Sequence, residues 1–320
     1  MRIISGSEIL NKNFEGSIVT IGNFDGVHKG HVEIFRHLKD KSRRLDLPAV
    51  VVTFEPHPLR VLAPDKAPEM ITTFEQKTEL ISASGIDCLV VITFTPEFSR
   101  TSADEFVCNT LCDSIGMRHI IIGHDYAFGR GREGNYMTLE KIGAERGFTL
   151  EDMDPIGEDG IIFSSSLARR MISDGDMEPA SKILGRYHSI SGIVVHGREI
   201  GHKLGFPTAN ISTSNELIPK DGVYAVMVSV DGRLVKGACN IGLNPTFDGG
   251  AHTIEVFLLD YSGEIYGKEI SVCFVQRLRD VIKFPNAAAL MLAIRQDVEQ
   301  TRTILESADN QLIKIPIGSH

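Results

Sequence analysis

Two histidines three residues apart, His28 and His31, stand in the run Gly22-Asn23-Phe24-Asp25-Gly26-Val27-His28-Lys29-Gly30-His31. Imidazoles at that spacing leave one face of a first helical turn, where free backbone N–H groups and the helix dipole already favour an anion. The chemistry on offer is phosphate binding. Zinc is the competing ligand for such a pair, but no nearby cysteine or glutamate completes a familiar zinc spacing.

Three further stretches carry chemical side chains. Phe163-Ser164-Ser165-Ser166-Leu167-Ala168-Arg169-Arg170 places hydroxyls at a predicted helix start with two arginines in its first turns. It reads either as a serine N-cap with solvated arginines or as a second phosphate clamp. Gly197-Arg198-Glu199-Ile200-Gly201-His202-Lys203-Leu204-Gly205 leads into Phe206-Pro207-Thr208-Ala209-Asn210. Glycines let a backbone approach phosphates, and the Thr208 hydroxyl with the Asn210 amide oxygen suits a bridging magnesium; an ordinary turn with Asn210 bonding its own backbone is the alternative. Glu255, between Ile254 and Val256 on a predicted strand, faces away from both. It is a solvated carboxylate or a base for an alcohol.

One pattern is set aside. Gly129-Arg130-Gly131-Arg132-Glu133-Gly134 spells a dinucleotide-binding fingerprint, with Asp154 at about the expected distance. Five residues separate the preceding strand from its first glycine, and the next helix begins only near Thr138, so the tight strand–turn–helix is missing. No Gly-x-x-x-x-Gly-Lys-Ser/Thr phosphate loop occurs either.

The elements that must hold these residues follow from periodicity. Apolar Ser17–Ile21 precedes the histidine turn, and Val32–Leu38 after it repeats apolar residues at helical spacing. Ala49–Phe54, Cys88–Phe94 and His119–Gly123 are β-branched runs of the kind buried on both faces of a parallel sheet. Ser102-Ala103-Asp104-Glu105 has the spacing of a capping box before a helix. Strands alternating with helices predict a parallel α/β domain whose ligands lie at the strands' C-terminal ends, near the switch in strand order. Near Gly185 the pattern changes to short strands with tight turns. Asp231-Gly232 joins 222–230 to 234–239, and Ser262-Gly263 joins a second pair, 253–259 and 269–275. An antiparallel barrel or sandwich is expected there, closed by a helix from about Asn286 to Glu306 with an apolar face at Leu290, Ile294, Val298 and Ile304. The boundary divides the chain into domains 1–184 and 185–320.

The 320 residues suit two domains, and 23% charged with 42% apolar residues is ordinary globular composition. A net charge of −9 disfavours a nucleic-acid partner. Five cysteines, odd in number and mostly in apolar runs, read as reduced thiols of a cytoplasmic protein. The N-terminus lacks a signal peptide's apolar core, and no run is long enough to predict a membrane span or partner.

Together the motifs resemble the bacterial bifunctional riboflavin kinase/FAD synthetase family over nearly the whole chain. The likeness rests on Gly22–His31, Thr53-Phe54-Glu55-Pro56-His57-Pro58, the Gly123–Gly134 loop and Ser164-Ser165-Ser166, then on Gly205–Asn210, Gly222-Val223-Tyr224, Asn240-Ile241-Gly242 with Pro245-Thr246-Phe247, and Glu255. It implies a Rossmann-like nucleotidyltransferase domain followed by a six-stranded flavokinase barrel with a C-terminal helix. It further implies that Asn23, Phe24, His28, Gly30 and His31, with Asp125, Ser165, Ser166 and Arg169, serve ATP in adenylyl transfer to FMN. In the barrel it implies that Gly197, Gly205, Thr208 and Asn210 hold Mg-ATP while Glu255 acts as base on riboflavin. The expected small molecules are riboflavin, FMN, FAD and ATP with Mg2+.

Two departures stand out. The family often reads Ser-Ser-Thr-Arg-Ile-Arg where this chain has Ser164-Ser165-Ser166-Leu167-Ala168-Arg169, and His202 stands where Arg is usual. The readings that compete are therefore a bifunctional enzyme, a kinase with a weak adenylyltransferase half, and a flavin-binding protein without turnover.

Overall fold

The computed structural model describes residues 1–11, 14–123, 126–197, 206–243 and 252–313. These form two compact units, the first of 1–69 and 74–163, the second of 70–73 and 164–320.

In the first unit, β1 (Arg2–Ser5), β2 (Ser17–Ile21), β3 (Ala49–Glu55), β4 (Cys88–Thr93), β5 (Met117–Gly123) and β6 (Thr149–Met153) make one sheet in the order β1-β4-β3-β2-β5-β6. Every neighbouring pair is parallel. The continuous apolar runs are explained by burial on both sides. Val19, Ile21, Val50, Val52, Val90 and Ile120 pack into one layer, and Ile18, Val51, Leu89 and Ile121 into the other. The strands that periodicity leaves unannounced are the edges, β1 and β6, short strands with two apolar residues each. A two-residue ribbon, β7 (Gly157–Glu158) with β8 (Ile161–Ile162), follows the last of them.

The capping box at Ser102 and Glu105 is present in both directions, with Glu105 N–H donating to Ser102 Oγ (3.2 Å) and Ser102 N–H to the Glu105 carboxylate (3.0 Å). The helix it starts makes only one α-turn, Ala103–Glu105, before widening into a π-helix over Phe106–Ser114. All five cysteines are free thiols.

In the second unit, β9 (His188–Val195), β10 (Thr208–Thr213), β11 (Gly222–Val230), β12 (Arg233–Leu243), β13 (His252–Leu258) and β14 (Glu269–Arg279) close a six-stranded antiparallel barrel in the order β10-β13-β12-β11-β14-β9. Asp231 (φ 49°) and Gly232 (φ 73°) supply the two left-handed residues that a tight β11–β12 hairpin requires. The expected second hairpin does not form. β13 pairs with β10 and β12, and β14 with β11 and β9. The connection between them is tied to β12 at its start, by Leu259 N–H to Lys236 O (2.8 Å), and to β9 at its end, by Gly267 N–H to Val194 O (2.9 Å). A Ser-Gly turn bends the chain locally but does not choose a strand's partner.

The final helix, Ala287–Glu306, begins at the Asn286 cap and packs on β11, β12 and β14. Leu290, Ile294, Val298 and Ile304 are half-buried, but its most enclosed stripe is Asp297, Thr301 and Leu305. Asp297 is held there by a bidentate pair with Arg279 of β14 (2.8 and 2.7 Å). Among the described residues no helix is long and apolar enough to cross a membrane.

Candidate active sites

Strands β3 and β4 lie to one side of β2, β5 and β6 to the other, so the strand order switches between β2 and β5. The crevice that such a reversal opens lies at the C-terminal end of β2, which is where the histidine turn starts. Gly22 N–H leaves the strand bonded to Val52 O (3.1 Å). Phe24 (φ 49°) and Val27 (φ 36°) then take left-handed backbone, which costs a β-branched or bulky residue of order 1–3 kcal/mol. Burial of both side chains in the core offsets it.

His28 caps the helix Lys29–Leu45, its Nδ1 accepting the Gly30 N–H at 3.1 Å. With Nδ1 accepting, the neutral ring carries its proton on Nε2 and can donate it. A Cβ at residue 30 would lie 2.9 Å from that ring, so the cap demands glycine. His31 stacks on His28 with centroids 3.7 Å apart, and the edge of Phe24 supports it at 5.1 Å. Asn23 lies with its amide 3.1 Å from His57 Nε2, while Thr53 donates to its carbonyl (3.3 Å). Asn23, Phe24, His28, Gly30 and His31 are thus brought together; Asp125 lies outside the described residues.

The glycine pattern at 129–134 lacks the strand–turn–helix context. Phe128 and Gly134 bridge, a short 3-10 turn fills the interval, and the next helix starts at Tyr136 on an Asn135 cap. Ser164 accepts the Leu167 N–H (3.2 Å) as the cap of the helix Ser165–Asp174. Ser166 is exposed, Ser165 and Arg169 are half-buried, and Ala168 is fully buried. This helix packs against the helix Met177–Leu184 within the second unit.

The barrel site is built by register. Asn210 of β10 pairs with Glu255 of β13, which pairs on its other side with Asn240 of β12. Directly opposed residues share a face, so the three side chains form one row. Thr208, two residues before Asn210, joins that face. Ile254 and Val256 turn inward instead and are buried. Cys239 is likewise sealed inside, its thiol pushed up first by burial and then by the Glu255 carboxylate. At the end of β9, a Cβ on Gly197 would fall 2.0 Å from Asn210 Nδ2. The Asn210 amide lies where any side chain at 197 would be. Gly205 and His202 lie outside the described residues.

His188, also in the barrel, is a different kind of histidine. Burial, then Arg186, drives its pKa down to about 3, and it stacks on Phe274 as a neutral core ring. Sequence reasoning assigned no role to His57 or Asn240, although both stand in motifs. Their partners, Asn23 and Glu255, are distant in sequence, so spacing carries no signal for either contact.

A parallel sheet with a glycine-framed histidine turn at its switch point, and a closed barrel carrying a carboxylate in a row of amides, define a two-domain nucleotide-handling protein. The FAD synthetase family model matches residues 10–167 and the riboflavin kinase model residues 184–305. The bifunctional riboflavin kinase/FMN adenylyltransferase of Pseudomonas fluorescens is 37% identical over 95% of this chain and 98% of its own length. Its Escherichia coli K12 counterpart is 36% identical over 93% and 96%. A solved Streptococcus pneumoniae structure described as a macrolide-efflux protein superposes with a TM-score of 0.86 at 30% identity, covering 94% of this chain and 99% of that one. The chain belongs to the bifunctional riboflavin kinase/FMN adenylyltransferase family.

Proposed function

We propose that this protein phosphorylates riboflavin to FMN and adenylylates FMN to FAD, each half of the chain carrying one step. The observation that carries this reading is the presence, in one chain, of the phosphate-binding turn at the sheet's switch point and the Asn210–Glu255 row in the barrel.

In the barrel, we assign Glu255 the proton of the riboflavin 5′-hydroxyl as that oxygen attacks the γ-phosphorus and ADP leaves. Thr208 and Asn210 offer oxygen donors two positions apart on one strand face, a donor set that suits Mg2+. Bound there with ATP, the ion would neutralise charge on the phosphates. Gly197 keeps the backbone close to Asn210 and holds its amide in place.

In the first unit, an FMN phosphate oxygen attacks the α-phosphorus of ATP and pyrophosphate leaves. Such transfer asks for positioning and electrostatic stabilisation rather than a covalent intermediate. The His28 Nε2–H, His31 and the first N–H groups of the Lys29–Leu45 helix supply donors to that charge. Asn23, Phe24 and Gly30 shape the turn. Asp125, Ser165, Ser166 and Arg169 are assigned to ATP on the resemblance alone. A cytoplasmic setting suits the free thiols and the pool of substrates.

The test is to incubate the purified protein with riboflavin, ATP and magnesium and to resolve the flavins by chromatography. FMN followed by FAD is expected. FMN without FAD leaves a kinase alone, and no FMN removes the kinase as well.

A further inference from the structure

We propose that His57 is a positioning residue for adenylyl transfer, one that fixes which end of the Asn23 amide faces ATP. The inference rests on the reading of the histidine turn as the ATP site.

His57 caps the short helix Pro58–Leu62, and its Nδ1 accepts the Leu59 N–H at 3.2 Å. A ring nitrogen that accepts holds no proton, so the His57 proton sits on Nε2. Nε2 lies 3.1 Å from the atom placed as Asn23 Nδ2. A donating Nε2–H requires the amide oxygen, not its NH2, at that contact; amide orientation is assigned from just such networks. The amide is accordingly assigned the flipped way, with Oδ1 toward His57, in place of a contact between two donors. Its NH2 group, two donors, is then turned away from His57.

The backbone of Asn23 is pinned separately, its carbonyl receiving the Thr53 hydroxyl (3.3 Å) and the preceding Gly22 N–H reaching Val52 O (3.1 Å). The main chain is set by β3, and the side-chain polarity by the loop that follows β3. Without His57 the amide is free to present its oxygen to the phosphates, which repels them. A helix cap is thus relayed through one imidazole and one amide into a preference for anions.

Two isosteres separate the relay from mere packing. Asparagine at 57 reaches the position of Nδ1 and keeps the Leu59 cap, whereas glutamine reaches the position of Nε2 and keeps a donor toward Asn23. With FMN supplied, His57→Asn is expected to raise KM for ATP in FAD formation about tenfold or more, the scale of a misaligned hydrogen bond to a charged group. His57→Gln is expected to stay within about threefold of wild type, because that hydrogen bond is retained. Asn23→Asp, which keeps an acceptor for His57 but aims an oxygen at the phosphates, is expected to lose FAD formation. Circular dichroism and thermal unfolding, compared with wild type, report that the first unit of each variant is folded, and FMN formation from riboflavin reports that the barrel is. Equal loss in His57→Asn and His57→Gln, unchanged KM in both, or full activity in Asn23→Asp would each overturn the relay. A wild-type protein that makes no FAD would instead overturn the reading on which it rests.

Discussion

In the first unit, ten consecutive residues make up the proposed anion site: a strand end, two left-handed residues packed into the core, a histidine cap and a second histidine stacked on it. In the barrel, the corresponding groups come from three strands that meet only through pairing, Asn210 with Glu255 and Glu255 with Asn240. The first site is set by backbone conformation, the second by register. Damage should therefore spread differently. A change in the turn disturbs its immediate neighbours, while a change in register displaces a whole row at once.

The largest effects separate the two reactions. Glu255→Gln should lower the rate of FMN formation by about 10²–10⁴-fold, the scale of a lost general base, and leave FAD formation from supplied FMN intact. Initial rates with each flavin check both halves. His31→Ala should do the reverse, lowering FAD formation by about 10²–10³-fold, the scale of a lost electrostatic donor, while FMN still accumulates.

Smaller effects sharpen the contrast between conformation and register. Gly197→Ala puts a methyl group on the Asn210 amide, and should raise KM for Mg-ATP in the kinase reaction about tenfold or more without altering FAD formation. Asp297→Ala removes the partner of Arg279, which is itself partly solvated, so about 2 kcal/mol of stability should be lost in denaturant unfolding. Ser102→Ala breaks only a capping box, and should cost about 1 kcal/mol.

What was legible in the sequence divides along the same line. β2, the histidine turn and the helix after it are consecutive, so periodicity and glycine placement located all three. The closed barrel was expected as one of two antiparallel forms, but the pairing within it was not. Ser262-Gly263 looked like a hairpin turn, yet β13 and β14 take other partners, because pairing is decided by contacts outside the turn. The final helix was placed to within a residue, but its enclosed Asp297 broke the apolar stripe; the cause, Arg279, lies 18 residues away on β14. Of the departures of the serine turn from the family pattern, Leu167 and Ala168 differ in setting: Ala168 is fully buried and Leu167 partly so. Nothing in the sequence alone told them apart.

The central claim is that one chain carries two separable reactions, one in the turn and one in the row. The measurement that meets it most directly is a time course of flavins formed from riboflavin, ATP and magnesium by the wild type, His31→Ala and Glu255→Gln. The account predicts FMN and then FAD from the wild type, FMN alone from His31→Ala, and no product from Glu255→Gln until FMN is added, when FAD appears. FAD formed by His31→Ala at the wild-type rate, or FMN formed by Glu255→Gln at that rate, would contradict it.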